Sequence, residues 1–422
     1  MIGAPAIAER TPRPFLIWVT TRLVLCGLLV IAIACKSTTG SSDGGTNPLQ
    51  GDPALIAGGK DIFRFETFGD ETFWTDTLRM HEVISSAVDP TTALSVGLKV
   101  DTDSLPPAVV QGIQDGSISL TSPATTIALL KLNAVVGLKG KVATVNGQDV
   151  LTSVGITCAL CHSTVDNSFS AGIGKRLDGW PNHDLNAGAI IALSSALTPA
   201  QKAVYNSWGK GKYDARYNFD GLNGPALIPP AYGLRGVASI TYTGDGPNIA
   251  YWNRYVAVTQ MHGHGSWVEV GINPPENVQN PPDMVTAKLA ALQAYQLSLE
   301  TPPPPAGTFN VEAAARGRLV FEGAAQCSAC HAGNHFTDAP GRLHAPADVV
   351  SEGEVSGPSL ASRSVTKMYR TTPLRGLWQR NFFFHNGAAT ALEEVVGLYN
   401  SRKSLGLSIG QRADLVNYLR SL

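Results

Sequence analysis

Cys158-Ala159-Leu160-Cys161-His162 and Cys327-Ser328-Ala329-Cys330-His331 are the two stretches on which the reading of this chain turns. In each, two cysteines three positions apart put both sulfurs on one turn of backbone, and the residue that follows projects an imidazole beside them. That is the geometry covalent haem c needs: two thioether bonds to the porphyrin vinyl groups and a histidine reaching the iron from one face. With six Cys and nine His in 422 residues, chance would supply about 0.002 such matches, so two are not accidental. Two readings compete. A structural zinc site would need further paired ligands, and a thiol redox centre a βαβ setting; neither explains a histidine placed directly after each pair. Two covalently bound haem c groups are therefore expected, with His162 and His331 as iron ligands.

Outward from the motifs, the chain has room for more than a minimal haem domain, since single cores stop growing at roughly 250 to 300 residues. The 43 Gly and 27 Pro, with only 15% charged residues, describe a loop-rich protein, poorer in charge than the roughly 25% usual for soluble domains. Thirty-two basic and 33 acidic residues leave no field to hold nucleic acid.

The start reads as a leader. Residues 1–35 carry Arg10, Arg13 and Arg22 ahead of an apolar run from Leu23 to Ala34, the pattern of a signal peptide. The run ends at Ala32-Ile33-Ala34-Cys35, which resembles a bacterial lipoprotein signal with Ala32 where Leu is usual; Cys35 is the expected lipidated N-terminus. Plain export and an uncleaved anchor helix are the alternatives, and all three put the chain on the periplasmic side of a bacterial membrane. Residues 36–58 read as a flexible tether and 59–300 as an N-terminal haem domain with an added N-terminal segment. Thr301-Pro302-Pro303-Pro304-Pro305 opens a stiff linker over 301–308, and 309–422 form a C-terminal haem domain. No strict repeat is visible between the halves.

Apolar periodicity predicts helices over Pro123–Val136, Thr198–Trp208, Met284–Leu297, Val311–Phe321, Leu392–Tyr399 and Gln411–Leu422, with Thr198 and Asn310 as N-caps. Ser239–Thr243 is the one short strand expected. The predicted fold is mainly α: two cytochrome c-like domains with long loops and an N-terminal extension.

The second axial position of each iron decides whether a haem only passes electrons or also binds a ligand. Gln260-Met261-His262-Gly263-His264-Gly265 places three possible ligands on backbone loosened by glycine. Met261, His262 and His264 are thus candidates for the first iron, with His183 as the alternative. Trp252 and Trp267 are candidates for electron transfer between haems.

The last hundred residues resemble the bacterial dihaem cytochrome c peroxidase superfamily, which includes the maturation enzyme of methylamine dehydrogenase. The resemblance rests on Gly317-Arg318 with Phe321-Glu322-Gly323 before the second motif, then His335-Phe336-Thr337-Asp338, Thr372-Pro373-Leu374-Arg375-Gly376-Leu377, Phe384-His385-Asn386-Gly387 and the closing helix from Ala413. In the first half only Pro229-Pro230-Ala231-Tyr232-Gly233-Leu234-Arg235-Gly236 is loosely similar. The resemblance implies an oxidoreductase with one reactive and one electron-relay haem, hydrogen peroxide as a possible substrate, and a small redox protein or quinone-linked donor or acceptor. A purely electron-transferring dihaem cytochrome is the alternative. Where peroxidases of this type place the relay-haem methionine, this chain has Tyr399, which is the axial ligand in the maturation enzyme. Tyr399 is therefore implied for the second iron; Met368, or no protein atom, is the alternative. The peroxidase calcium motif Thr-Ala-Pro is replaced by Arg380-Asn381-Phe382, so calcium is not expected. Neither Glu269 nor Glu276 can be assigned as the family's catalytic acid.

Overall fold

Asp52 accepts hydrogen bonds from the amides of Ala54 and Leu55, and Pro53 occupies the first turn, so a helix starts at Pro53 and runs to Phe65. It begins inside the stretch expected to be tether. The computed structural model describes residues 51–351 and 359–422; the leader with Cys35 and the tether up to residue 50 lie outside them. No helix among the described residues is long and apolar enough to cross a membrane.

The Pro53–Phe65 helix crosses the helix Leu289–Ser298, and the crossing depends on one missing side chain. A Cβ on Gly59 would sit 1.9 Å from the Ala291 carbonyl oxygen and 2.7 Å from Tyr295 Cβ. One turn on, Phe63 meets the Tyr295 ring edge-on at 5.6 Å. The second half repeats this arrangement. Helices Val311–Glu322 and Ile409–Arg420 cross at Gly317, whose Cβ would lie 2.0 Å from the Asp414 oxygen and 2.9 Å from Tyr418 Cβ, and Phe321 meets Tyr418 edge-on at 5.2 Å. A repeat is therefore present after all. Gly59 and Phe63 match Gly317 and Phe321, while Ala290, Leu292, Tyr295, Ser298 and Leu299 match Ala413, Leu415, Tyr418, Ser421 and Leu422. It is short, and unequal lengths of chain separate its two parts in each half.

Other predicted helices form with shifted ends: Pro123–Lys131, Pro199–Asn206 and Leu392–Arg402. Pro123–Lys131 stops early because Asn133 turns into the left-handed region at φ 54°. Thr198 forms a capping box with Gln201, and Asn310 caps its helix through the Ala313 amide.

The mainly α expectation holds only in part, because the fold is mixed. Five two-stranded sheets occur among the described residues. The longest is the antiparallel hairpin Leu138–Val145 with Gln148–Ile156, turned at Asn146-Gly147 with φ 51° and 80°. That dipeptide is a strong two-residue hairpin signal, obscured here by the lysines and threonines of a solvent-facing ribbon. A second hairpin pairs Gly265–Glu269 with Glu276–Asn280. The strand expected at Ser239–Thr243 is a turn instead. Ser239 has φ 54°, and the Thr241 and Thr243 hydroxyls both donate to Asp245, curling the segment on itself.

Three apolar cores result: one around Trp74, Leu130 and Leu185, one around Phe63, Tyr255 and Leu292, and one around Phe321, Leu392 and Leu415. The segments on either side of the Pro-rich stretch interlock. Arg363 reaches back to Asp214 at 2.9 Å and Asp220 at 2.6 Å, all nearly buried. Leu227 N donates to the His385 carbonyl at 2.7 Å, and Trp378 Nε1 to that of Pro302 at 3.0 Å.

Candidate functional site

The first motif forms a single helical turn, Ala159–His162, directly after the long hairpin. Gly137 lets this turn dock, because a Cβ there would lie 2.1 Å from Leu160 Cα. His162 Nδ1 lies 3.0 Å from the Pro229 carbonyl oxygen. A carbonyl only accepts, so Nδ1 carries the proton and Nε2 keeps its lone pair. The second motif does the same: His331 Nδ1 lies 3.0 Å from the Phe336 carbonyl. Burial lowers the His162 pKa to about 4, against the pull of Pro229. It lowers that of His331 too, against the Phe336 and Thr372 backbone. Both rings are thus neutral and oriented, as a metal-ligating imidazole must be.

The four motif cysteines are unpaired. Burial raises Cys158 and Cys161 to about 12 and Cys327 to about 11, and raises Cys330 as well. Thiols held neutral are poor thiolate nucleophiles, which argues against a dithiol redox centre. Cys330, Asp338 and His344 place one ligand atom each within 4.8 Å of one another. Asp338 and His344 are already engaged, at 3.1 Å with each other and through Thr371 Oγ1 at 2.9 Å from His344.

Cys158, Cys161 and His162 line a cavity of about 270 Å³ whose walls are largely aliphatic and aromatic. Of the Met-His-Gly-His loop, only Met261 reaches it, buried, with Met80 as a second methionine that the sequence did not single out. His262 and His264 do not line it. His262 turns away at φ 64° and stacks on Phe73 at 3.6 Å, and His264 bonds the Pro281 carbonyl at 3.0 Å. His183 is likewise engaged elsewhere, 3.1 Å from the Ile228 carbonyl. Trp252 lines the cavity and Trp267 lies behind it, the two joined by Tyr255 at 4.8 and 5.1 Å. Trp180 and Trp378, which sequence reading passed over, meet edge-on at 5.7 Å across the two halves.

The far wall comes from the C-terminal half: Arg370, Thr372, Pro373, Arg375 and Arg380. These arginines are the main cavity-lining residues that the sequence reading did not pick out. Nε of all three, and Nη1 of Arg370, are buried without a hydrogen-bond partner, and burial drives Arg370 down to about 10 with no carboxylate opposing it. Buried guanidinium groups are rarely left so. Arg375 and Arg380 keep a bond through Nη2 to the Asn334 and Arg375 carbonyls, so the unmet donors are the four atoms named, and an anion among them would satisfy those. A porphyrin with two carboxylates, attached at Cys158 and Cys161, fits that need and the apolar walls alike. Arg380, the first residue of Arg380-Asn381-Phe382, helps to build this wall.

At the second motif, Tyr399 is raised to about 12 by burial first and then by the nearby Cys327 and Cys330. Phe384 lies 6.3 Å from it. Met368 belongs to a segment held against the first half, where Thr366 Oγ1 donates to the Thr243 carbonyl at 2.6 Å and Arg370 N to that of Tyr242 at 2.8 Å. Glu276 is buried 3.3 Å from Arg216, with Oε2 unpartnered, and burial raises it to about 7 despite the arginine. Arg216 and Asp245 line the cavity; Glu276 and Glu269 do not.

No family model matches this chain, and no curated protein matches it. Among solved structures it is similar to the hydrazine synthase of Kuenenia stuttgartiensis, at 19% identity and a TM-score of 0.33 over 51% of this chain and 74% of that one. A likeness so loose carries no weight for fold or chemistry.

Proposed function

We propose that this chain is an exported dihaem c-type cytochrome acting as an oxidoreductase, peroxidase-like, with a reactive haem at Cys158, Cys161 and His162 and a relay haem at Cys327, Cys330 and His331. The observation that carries the reading is the matched pair of neutral histidines, each holding Nδ1–H on a backbone carbonyl at 3.0 Å beside two thiols. Support comes from the helix crossing repeated in both halves and from the unmet buried donors of Arg370, Arg375 and Arg380 around the first cavity. Bound haem would supply one-electron transfer and, at an iron with an open sixth position, ligand binding.

The chain's own residues have definable tasks in this reading. Pro229 and Phe336 fix the histidine tautomers, the arginines neutralise porphyrin carboxylates, and the aliphatic walls exclude water. Thr372 lines the first cavity while its backbone acts on His331, which favours a relay between the sites. Tyr399 is proposed as the second iron's other ligand. Peroxide as substrate, a small redox protein or quinone-linked partner, and a lipid anchor at Cys35 on the periplasmic side complete the proposal.

One observation favours the alternative of a pure electron carrier: Met261 lines the first cavity and would close the iron. Spectra of both oxidation states separate the two, since the carrier has two low-spin haems inert to peroxide. Haem content tests the whole reading. Intact mass and pyridine haemochrome should give two haems per chain, and one after Cys158→Ser with Cys161→Ser or Cys327→Ser with Cys330→Ser; no covalent haem overturns it.

A further inference from the structure

Beside the first cavity lies a second, of about 360 Å³, that shares Trp74, Ile191, Tyr213 and Gln260 with it. Its lining grades from solvent inward. Thr77, Ala196, Gln201 and Asn218 are exposed, whereas Trp74, Leu78 and Gln260 are buried. The space is thus a funnel from the surface to the wall of the first cavity.

Its lining mixes apolar side chains with hydroxyl, amide and imidazole groups. Among the described residues no Asp, Glu, Lys or Arg lines it, so nothing offers an ion a counter-charge. At its inner end Gln260 is 7% exposed; its Nε2 donates to Thr259 Oγ1 at 3.0 Å and to the Ala215 carbonyl at 2.5 Å. Its Oε1 is buried with no donor. A buried acceptor left unpaired costs about 1 to 3 kcal/mol, so the site calls for a molecule that donates a hydrogen bond there. One wall is the His262 ring, stacked on Phe73 with Asn218 Nδ2 at 3.4 Å. Holding a non-glycine residue at φ 64° costs on the order of 1 kcal/mol, and it turns this ring toward the funnel rather than the first cavity.

We propose that this funnel is an access channel which takes in a neutral, hydrogen-bond-donating molecule of a few heavy atoms and passes it to the first cavity at Gln260 Oε1. The inference rests on the reading of that cavity as a haem site. It says why a histidine placed by sequence beside the iron faces elsewhere, and why the channel mouth lacks the charges a protein partner or anion would need.

Stopped-flow binding of cyanide, present at neutral pH as HCN, to the ferric holoprotein tests it. Met261→Ala in every arm keeps the first iron open. Ala196→Trp at the mouth should slow cyanide binding by about ten-fold or more, and Leu197→Ala, which widens the funnel, should speed it. Should Ala196→Trp not fold, the acceleration in Leu197→Ala carries the test. Rates within about two-fold of the parent in the wall variants, with both haems attached, overturn the channel and leave the haem reading intact. A chain without the first haem by pyridine haemochrome overturns that reading and the channel together.

Discussion

The two halves hold their motifs in the same way and surround them differently. Gly59, Phe63 and Tyr295 in the first half and Gly317, Phe321 and Tyr418 in the second build one helix crossing twice, and His162 and His331 each give Nδ1–H to a backbone carbonyl at 3.0 Å. Around the first motif lies a cavity with Met261 on its wall and arginines from the other half; around the second, Tyr399 is buried close enough to Cys327 and Cys330 to feel their charge. Repetition falls on the framework and divergence on the groups that would face a cofactor. Framework demands are steric and leave few solutions, whereas one side chain facing the iron changes the chemistry without disturbing the fold.

Four tests break or sharpen that comparison. The largest effect should come from the crossings: Gly59→Ala and Gly317→Ala each force a Cβ against a backbone carbonyl and should cost about 3 kcal/mol in urea unfolding. A loss at only one site would end the equivalence of the halves. Arg370→Met comes next and probes what only the first half has. In a chain kept without its first haem by Cys158→Ser and Cys161→Ser it should stabilise by about 1 to 2 kcal/mol, because a buried guanidinium with unmet donors is removed. In the loaded chain it should destabilise; the same sign in both would mean that no anion meets Arg370.

Glu276 supplies the third test. Its pKa is raised to about 7 in the folded chain from 4.5, so the folded state binds the extra proton. Its contribution is present below pH 4.5 and lost as pH rises to about 7, with a slope of up to about 1.4 kcal/mol per pH unit. Glu276→Gln should flatten thermal stability over that window, and an unaltered slope would assign the pH dependence elsewhere. The smallest change in stability, within about 0.5 kcal/mol, is expected for Tyr399→Phe. Its readout is spectroscopic: optical and EPR spectra of the second haem should change, and unchanged spectra remove Tyr399 from the iron.

Much of this was legible in the sequence, for identifiable reasons. The motifs, the caps at Thr198 and Asn310 and most helices depend on residues within a few positions of each other, so local spacing suffices. Asn146-Gly147 was equally local and was overlooked because an exposed ribbon lacks apolar alternation. The repeat escaped because its two parts are separated by unequal lengths of chain. Which member of Met261-His262-Gly263-His264 faces the first motif was not legible, since one residue's φ sends neighbouring side chains to different cavities.

By itself the sequence determined that two dithiol-histidine turns exist, each near helices able to frame it, because those features are written in contiguous residues. Only the tertiary structure decided that Arg370, Arg375 and Arg380 cross the Pro-rich stretch to wall the first cavity, that Met261 rather than His262 or His264 reaches it, and that Tyr399 is buried within reach of the charges of Cys327 and Cys330. Those outcomes depend on contacts between residues far apart in the chain, where burial and close packing select one arrangement that local spacing does not encode.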